Sequence, residues 1–148
     1  MLFKRKIYDK FLAWKTECAG KKALLVEGAR RIGKSTVVEE FAKNEYKSYI
    51  LIDFAKASSD VKEYFQLYLN DLDTFFMLLS VQYGVQLHER DSVIIFDEVQ
   101  LFPKAREAIK YLVADGRYDY METGSLISIK ENVKDIVIPS EERQMKMY

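Results

Sequence analysis

Cysteine and histidine are almost missing from this chain of 148 residues, which has one of each, Cys18 and His88. A single cysteine excludes an intrachain disulfide framework and is typical of a protein from a reducing compartment. His88 has no cysteine or second histidine at metal-binding spacing, so we expect no histidine-based zinc site. It lies in the charged connector His88–Asp91, which predicts a solvated loop.

Net charge and long apolar runs are absent as well. Lys and Arg together number 23, as do Asp and Glu, so the overall charge does not indicate binding to nucleic acid or to an anionic membrane. No apolar run approaches the length of a membrane span, and Met1–Lys6 lacks the apolar core of a signal peptide. With 49% hydrophobic and 31% charged residues, the chain is expected to form one globular domain. The single cysteine and the lack of a signal peptide or membrane span predict a cytoplasmic protein.

The most informative stretch joins a short apolar run, Ala23–Val26, to a helical pattern that starts at Lys34. Residues 28–35 between them have the G-x-x-x-x-G-K-S spacing of a phosphate-binding loop. The two glycines allow successive backbone N–H groups to face one anion-sized hollow, to which the helix adds the positive end of its dipole. Lys34 can reach the outer phosphates, and the Ser35 hydroxyl can take one coordination site on Mg²⁺. The predicted cofactor-binding residues are Gly28, Ala29, Arg30, Arg31, Ile32, Gly33, Lys34, Ser35 and Thr36. The alternative is a glycine-containing turn that binds nothing.

A second stretch, Val93–Phe96, runs directly into Asp97 and Glu98. Four consecutive apolar residues predict a strand covered on both faces, as in a parallel sheet. Asp97 can then hold Mg²⁺ through its water shell while Ser35 binds the ion directly. Glu98 can orient and deprotonate a water in line with the terminal phosphate. The alternative is an ordinary solvated strand end.

Other periodic segments complete an α/β pattern. We predict a leading helix over 5–19, a strand Tyr49–Ile52, helical structure from Val61 to Tyr83, a helix from Pro103 to Gly116, a weaker strand Tyr118–Glu122 and a last short strand Ile136–Ile138. Asn70–Thr74 is expected to divide the 61–83 segment, with Asp71 or Asp73 as N-cap. Aromatic residues in that segment have acidic neighbours, so we interpret them as core and not as a stacking platform for single-stranded nucleic acid.

Strands that alternate with helices predict a parallel sheet with right-handed crossovers, in which the carboxyl ends of all strands share one edge. The phosphate loop, Asp97–Glu98 and Thr123–Ser125 are therefore expected to converge. Thr123 or Ser125 can hydrogen-bond the attacking water or the γ-phosphate, which makes both candidates for catalysis beside Glu98 and Lys34. Asp53 closes the second strand at the same edge, where it either supports the metal indirectly or is an ordinary turn residue.

Residues 28–35 and the segment Phe96–Gln100 together resemble the AAA-type P-loop ATPases. The most similar group is the prokaryotic subfamily whose longer members carry a winged-helix segment and a nuclease-like C-terminal domain of unknown function; Arg30, Gln100 and Thr123–Ser125 fit it. The resemblance covers the chain from about Lys6 onward. It implies ATP and Mg²⁺ as ligands of Walker A and Walker B motifs. The implied fold is a three-layer P-loop NTPase, with about five parallel strands in the order 5-1-4-3-2 and helices on both faces.

Members of that group continue past the position of Tyr148 into a helical lid and further domains. We therefore expect residues 1–148 to be a single ATPase core from a longer protein. An arginine that accelerates hydrolysis would come from self-association or from the missing domains, so turnover should be slow in the isolated chain.

Three functions are compatible with these motifs. The first is a Mg²⁺-dependent ATPase, and the second is a nucleotide-binding switch with little turnover that has ATP and ADP as ligands. The third, a small-molecule P-loop kinase, is disfavoured because a water-activating Glu98 would compete with transfer to the acceptor.

Overall fold

The computed structural model describes residues 2–18, 20–28, 34–125 and 142–146. Strands and helices alternate along most of these ranges, as the sequence pattern predicts. The helices are α1 (Leu2–Cys18), α2 (Lys34–Glu45), α3 (Ser59–Leu67), α4 (Leu72–Tyr83) and α5 (Pro103–Asp115), with a 3₁₀ turn over Val99–Leu101. The strands are β1 (Ala23–Gly28), β2 (Ser48–Asp53), β3 (Ser92–Asp97), β4 (Asp119–Ser125) and β5 (Glu142–Lys146).

The described strands form one sheet in the order β2-β3-β4-β1-β5, and every neighbouring pair is parallel. Read from the β5 edge, this order is 5-1-4-3-2. The register pairs Asp53 with Asp97 and Gly28 with Ser125, so the carboxyl ends of four strands reach the same edge. The α/β fold of the P-loop NTPase class is confirmed.

Helices cover both faces of the sheet. Alternate residues of β3 enter two cores: Val93 and Ile95 pack with residues of α1 and α2, whereas Ile94 and Phe96 pack with residues of α3, α4 and α5. The α1 residue Trp14 is fully buried, and its indole N–H donates to the Lys22 carbonyl at 3.0 Å. The sheet therefore lies between two helical layers.

Local capping signals define both ends of α4 and α5. Asp71 caps α4 by accepting a hydrogen bond from the Thr74 backbone N–H, and Gly84 ends that helix in the left-handed conformation. Pro103 begins α5, and Gly116 with φ of 81° ends it. Phe65 and Phe75 are buried with ring centroids 5.0 Å apart, so the aromatic residues of this region belong to the core as predicted.

The fifth strand differs from the sequence prediction. The apolar segment Ile136–Ile138 lies outside the described residues, and the structure instead has β5 at Glu142–Lys146, paired with Ala23–Glu27 of β1. The sequence of β5 is Glu-Arg-Gln-Met-Lys, without an apolar run or clear alternation. A strand at the edge of a sheet is specified by backbone hydrogen bonds to one neighbour, and those bonds leave little trace in side-chain pattern. The leading helix also begins earlier than predicted, at Leu2.

Candidate functional site

The carboxyl ends of β1, β3 and β4 meet the N-terminus of α2 at one edge of the sheet. Gly28 ends β1 beside Ser125 of β4, and Asp97 ends β3 between the carboxyl ends of β2 and β4. Among the predicted nucleotide-binding residues, Lys34 is the first residue of α2 and Thr36 is exposed on that helix. Residues 29–33 lie outside the described ranges, so the predictions for Ala29, Arg30, Arg31, Ile32 and Gly33 are not tested.

Ser35 and Asp97, which are separated by 62 residues, are in direct contact. The Ser35 hydroxyl donates a hydrogen bond of 2.6 Å to Asp97 Oδ1. Asp97 is 7% exposed, and its side chain extends from the face of β3 that α2 covers. The geometry therefore brings together the two residues that the sequence singles out as candidates for holding a metal.

Thr123 extends this contact across β4. Its hydroxyl donates to Asp97 Oδ1 at 2.6 Å and accepts a hydrogen bond of 3.0 Å from the Glu98 backbone N–H. The residue is 0% exposed. The predicted contact of Thr123 with water or the γ-phosphate stays a prediction; in the structure its hydroxyl proton is directed to Asp97. Ser125 has its backbone beside Gly28, and the structure does not describe its side chain.

Glu98 leaves the strand in a conformation that is unusual for a residue with a side chain. Its φ and ψ are 56° and 49°, in the left-handed region, and the 3₁₀ turn over Val99–Leu101 follows at once. This turn brings Gln100 back toward the strand end, where its side-chain amide donates a hydrogen bond of 2.6 Å to Glu98 Oε2. The carboxylate is therefore held by a side chain that is itself only 7% exposed.

Sequence reasoning did not find the contact of Gln100 with Glu98. The resemblance uses Gln100 as a family feature without a role. The only local signal was the spacing of two residues, which is uninformative unless the chain turns between them. That turn depends on the left-handed backbone of Glu98, and glutamate is not a residue from which this conformation is expected.

Asp53 lies at the same edge but has a turn contact of its own. It pairs in register with Asp97, and its Oδ1 accepts a hydrogen bond of 2.9 Å from the Ala55 backbone N–H. This contact is the geometry of an ordinary Asx turn. Burial, and secondarily the charge of Asp53, raise the pKa of Tyr83, and these two residues line one cleft beside β2.

The oxygen donors of this edge fit a magnesium ion. Mg²⁺ prefers oxygen ligands and in nucleotide sites takes few of them from the protein, because phosphates and water supply the rest. A hydroxyl and a carboxylate in contact at 2.6 Å match that requirement. Within the described ranges, no group of three or more His, Cys, Asp or Glu side chains is placed to hold a metal without such help.

Similarity to known proteins is clear at the level of a domain family. No curated protein sequence matches the chain at a significant level. Among solved structures, the Caenorhabditis elegans protein PCH-2 matches with 11% identity and a TM-score of 0.47, over 96% of this chain and 41% of that one. In the described part of the chain, none of the helices has the length and apolar character that crossing a membrane requires. A family model for the AAA domain matches residues 20–145, and the chain therefore belongs to the AAA domain family.

Proposed function

We propose that this chain binds ATP together with Mg²⁺ and hydrolyses the bond between the β- and γ-phosphates. Membership of the AAA domain family supports nucleotide binding and ATPase chemistry at the level of the family. The observation that carries the finer proposal is the hydrogen bond of 2.6 Å between Ser35, at the start of α2, and Asp97, at the end of β3. A hydroxyl and a buried carboxylate meet where the motif expects a metal-bound phosphate.

The phosphates would be held by the segment from Gly28 to Thr36. In this motif, loop amides and the N-terminus of α2 would supply partial positive charge, and Lys34 would supply a full one. Ser35 would be a direct ligand of Mg²⁺, and Asp97 would hold its water shell while keeping the Ser35 hydroxyl oriented. When bound, the ion would neutralise charge on the β- and γ-phosphate oxygens.

Glu98 is the residue we assign to water activation. Its carboxylate would remove a proton from a water molecule as the water oxygen bonds to the γ-phosphorus, while the bond to the β-phosphate oxygen breaks and ADP leaves. The proton then resides on Glu98 until it passes to solvent or to phosphate. The hydrogen bond from Gln100 fixes one carboxylate oxygen, which limits the rotation of a side chain with three flexible torsions.

The motif pattern supports the finer assignment to the prokaryotic subfamily with winged-helix and nuclease-like domains. Arg30, Gln100 and Thr123–Ser125 carry that similarity. If the arginine that stabilises the transition state comes from a neighbouring copy or another domain, the isolated chain should bind ATP and turn it over slowly, below about one per minute against an ordinary enzyme median near 10 per second. Turnover that rises with protein concentration would support self-association.

The proposal is tested by titrating ATP with Mg²⁺ into the purified chain and measuring heat of binding and phosphate release. Lys34→Ala should abolish most of the binding, since it removes the side-chain charge that the motif places at the outer phosphates. Lys43→Ala, an exposed residue in the last turn of α2, is the matched control and should bind as the wild type does. Absence of binding to the wild-type chain at millimolar ATP would refute the proposal. Binding without measurable turnover at any protein concentration would favour a nucleotide-binding switch.

A further inference from the structure

We propose that Thr123 is a positioning residue that couples the metal-supporting carboxylate of Asp97 to the backbone of Glu98. This inference rests on the proposed function, because it assigns Thr123 a role in the same reaction. It replaces the expected contact with water or the γ-phosphate by a contact inside the protein. One hydroxyl group links the two acidic residues.

The direction of each hydrogen bond around Thr123 follows from its partners. A backbone N–H can only donate, so the Thr123 oxygen accepts the bond of 3.0 Å from Glu98. A carboxylate accepts, so the hydroxyl proton lies on the bond of 2.6 Å to Asp97 Oδ1. The same oxygen of Asp97 also accepts from Ser35. These contacts form a continuous chain from the first turn of α2 to the Glu98 backbone.

Thr123 has no second proton to give to a phosphate. A threonine hydroxyl carries one donor hydrogen, and here the group is 0% exposed with that hydrogen on Asp97. Contact with a γ-phosphate would require Thr123 to release Asp97 and rotate out of a buried site. The observed geometry therefore assigns the hydroxyl to positioning.

The Glu98 backbone needs an external partner because the sheet ladder stops before it. The register of β3 with β4 ends at Phe96 and Glu122. At the next position on β4, the Thr123 side chain accepts the hydrogen bond that a backbone carbonyl would accept in a continued ladder. Glu98 is also held at φ of 56°, which residues with a Cβ adopt rarely. The Thr123 hydroxyl favours this conformation because it accepts a hydrogen bond from the Glu98 N–H.

A consequence for the reaction follows from the shared hydroxyl. Any movement of the Asp97 carboxylate on metal binding shifts the acceptor of the Thr123 proton, and the same hydroxyl holds the residue that activates water. Metal occupancy and the position of Glu98 are thereby linked through one side chain. Ser at this position preserves the link, whereas Val, which has the shape of Thr without the hydroxyl, breaks it.

The test compares Thr123→Val, Thr123→Ser and the control Thr16→Val, an exposed position on α1. Phosphate release should give a kcat at least about tenfold lower for Thr123→Val with KM for ATP changed less than about threefold, because Glu98 acts mainly in the transition state. Thr123→Ser should recover kcat to within about threefold of the wild type. The control should leave both constants unchanged.

A second readout does not need nucleotide at all. Amide hydrogen exchange of Glu98 in the ligand-free chain should be at least about tenfold faster in Thr123→Val than in the wild type or Thr123→Ser, since the N–H loses its acceptor. An unprotected Glu98 amide in the wild type would overturn the inference. If Thr123→Val does not fold, the protection of the Glu98 amide in the wild type and in Thr123→Ser decides the matter, together with the kcat of Thr123→Ser.

The outcomes separate the inference from the proposed function. If the wild-type chain neither binds nor hydrolyses ATP, the proposed function fails, and the assigned role of Thr123 in the reaction falls with it, even if the Glu98 amide is protected. If the wild type hydrolyses ATP and Thr123→Val has the same kcat, the proposed function stands and the inference is wrong. Equal loss in Thr123→Val and Thr123→Ser would also overturn it, because the hydroxyl would then not be the group that matters.

Discussion

Asp97→Asn should weaken the response of the folded chain to ATP and Mg²⁺ while changing its ligand-free stability only slightly. The substitution keeps the shape of the side chain and an oxygen that can accept from both Ser35 and Thr123. It removes one negative charge from a residue that is 7% exposed. Hydrogen bonds to a neutral oxygen are weaker than those to a carboxylate, but burying a neutral amide also costs less than burying a charge. The two effects oppose each other, so the ligand-free unfolding free energy should change by less than about 1.5 kcal/mol.

The response to ligand should change much more. At a hundredfold excess of ligand over Kd, binding adds about 2.7 kcal/mol to the stability of the native state. An unfolding entropy of about 2.1 cal/mol/K per residue gives about 0.3 kcal/mol/K for 148 residues, so the wild-type melting temperature should rise by about 9 °C. A unit charge near a divalent cation contributes several kcal/mol, and we expect its loss to weaken Mg²⁺-dependent binding about a hundredfold. At the same ligand concentration, the shift for Asp97→Asn then falls to about 1 °C.

The assay is differential scanning calorimetry with and without ATP, in Mg²⁺ and in a chelator. Asp53→Asn is the matched control, because Asp53 ends the neighbouring strand in register with Asp97 and an asparagine oxygen can still accept from the Ala55 N–H. It should keep the full shift. In the chelator the wild type and Asp97→Asn should respond alike. A shift above about 6 °C for Asp97→Asn in Mg²⁺ would show that this carboxylate does not support the metal.

Two further predictions concern a catalytic and a structural side chain. Glu98→Gln keeps the shape of the side chain and removes the base, so calorimetry should show an undiminished melting shift with ATP while phosphate release falls roughly 10²- to 10⁴-fold. The control Glu107→Gln, at an exposed position on α5, should have no effect. Native turnover in Glu98→Gln would contradict the assigned role. Burial, reinforced by Asp119, raises the pKa of Tyr46 above its ordinary value of 10.0, and the Tyr46 hydroxyl donates to Asp119 Oδ2 at 2.5 Å. The folded state therefore keeps a proton that the unfolded state loses, so wild-type stability should fall as the pH rises above about 10, and chemical denaturation of Tyr46→Phe should show a shallower fall. Equal slopes for the two proteins would refute the second prediction.

The parts of the fold that sequence predicts well are those determined by a few adjacent residues. The break between α3 and α4 depends on Asp71, which caps the helix that follows it. The limits of α5 depend on Pro103 and Gly116, and each acts through its own backbone geometry. β3 is recognisable because its residues are buried between two helical layers, and its four central positions are consecutive apolar residues.

The parts that sequence does not predict depend on contacts between distant segments. β5 is polar and joins the sheet through backbone pairing with β1. The order of strands came from a resemblance and not from any spacing. At the site, the rule that strand ends share one edge was enough to expect Ser35 near Asp97. It could not tell which atoms Thr123 would contact, because that depends on a hydroxyl rotation and on where the β3–β4 ladder stops.

The left-handed backbone of Glu98 gives a last prediction, in which two inactive variants differ in stability. In an extended strand, Asp97 and Glu98 would point to opposite faces of the sheet. The turn at Glu98 ends the strand and allows both carboxylates to lie at the same edge of the sheet. A φ of 56° costs a residue with a Cβ about 1 kcal/mol of stability. Glycine would adopt this backbone without strain and would lack the carboxylate. We therefore expect chemical denaturation to show Glu98→Gly about 1 kcal/mol more stable than Glu98→Ala, the reverse of their order in ordinary positions, while both variants lose turnover. If Glu98→Ala is the more stable of the two, the backbone is not strained there, and the case that a functional demand keeps glutamate at this position fails.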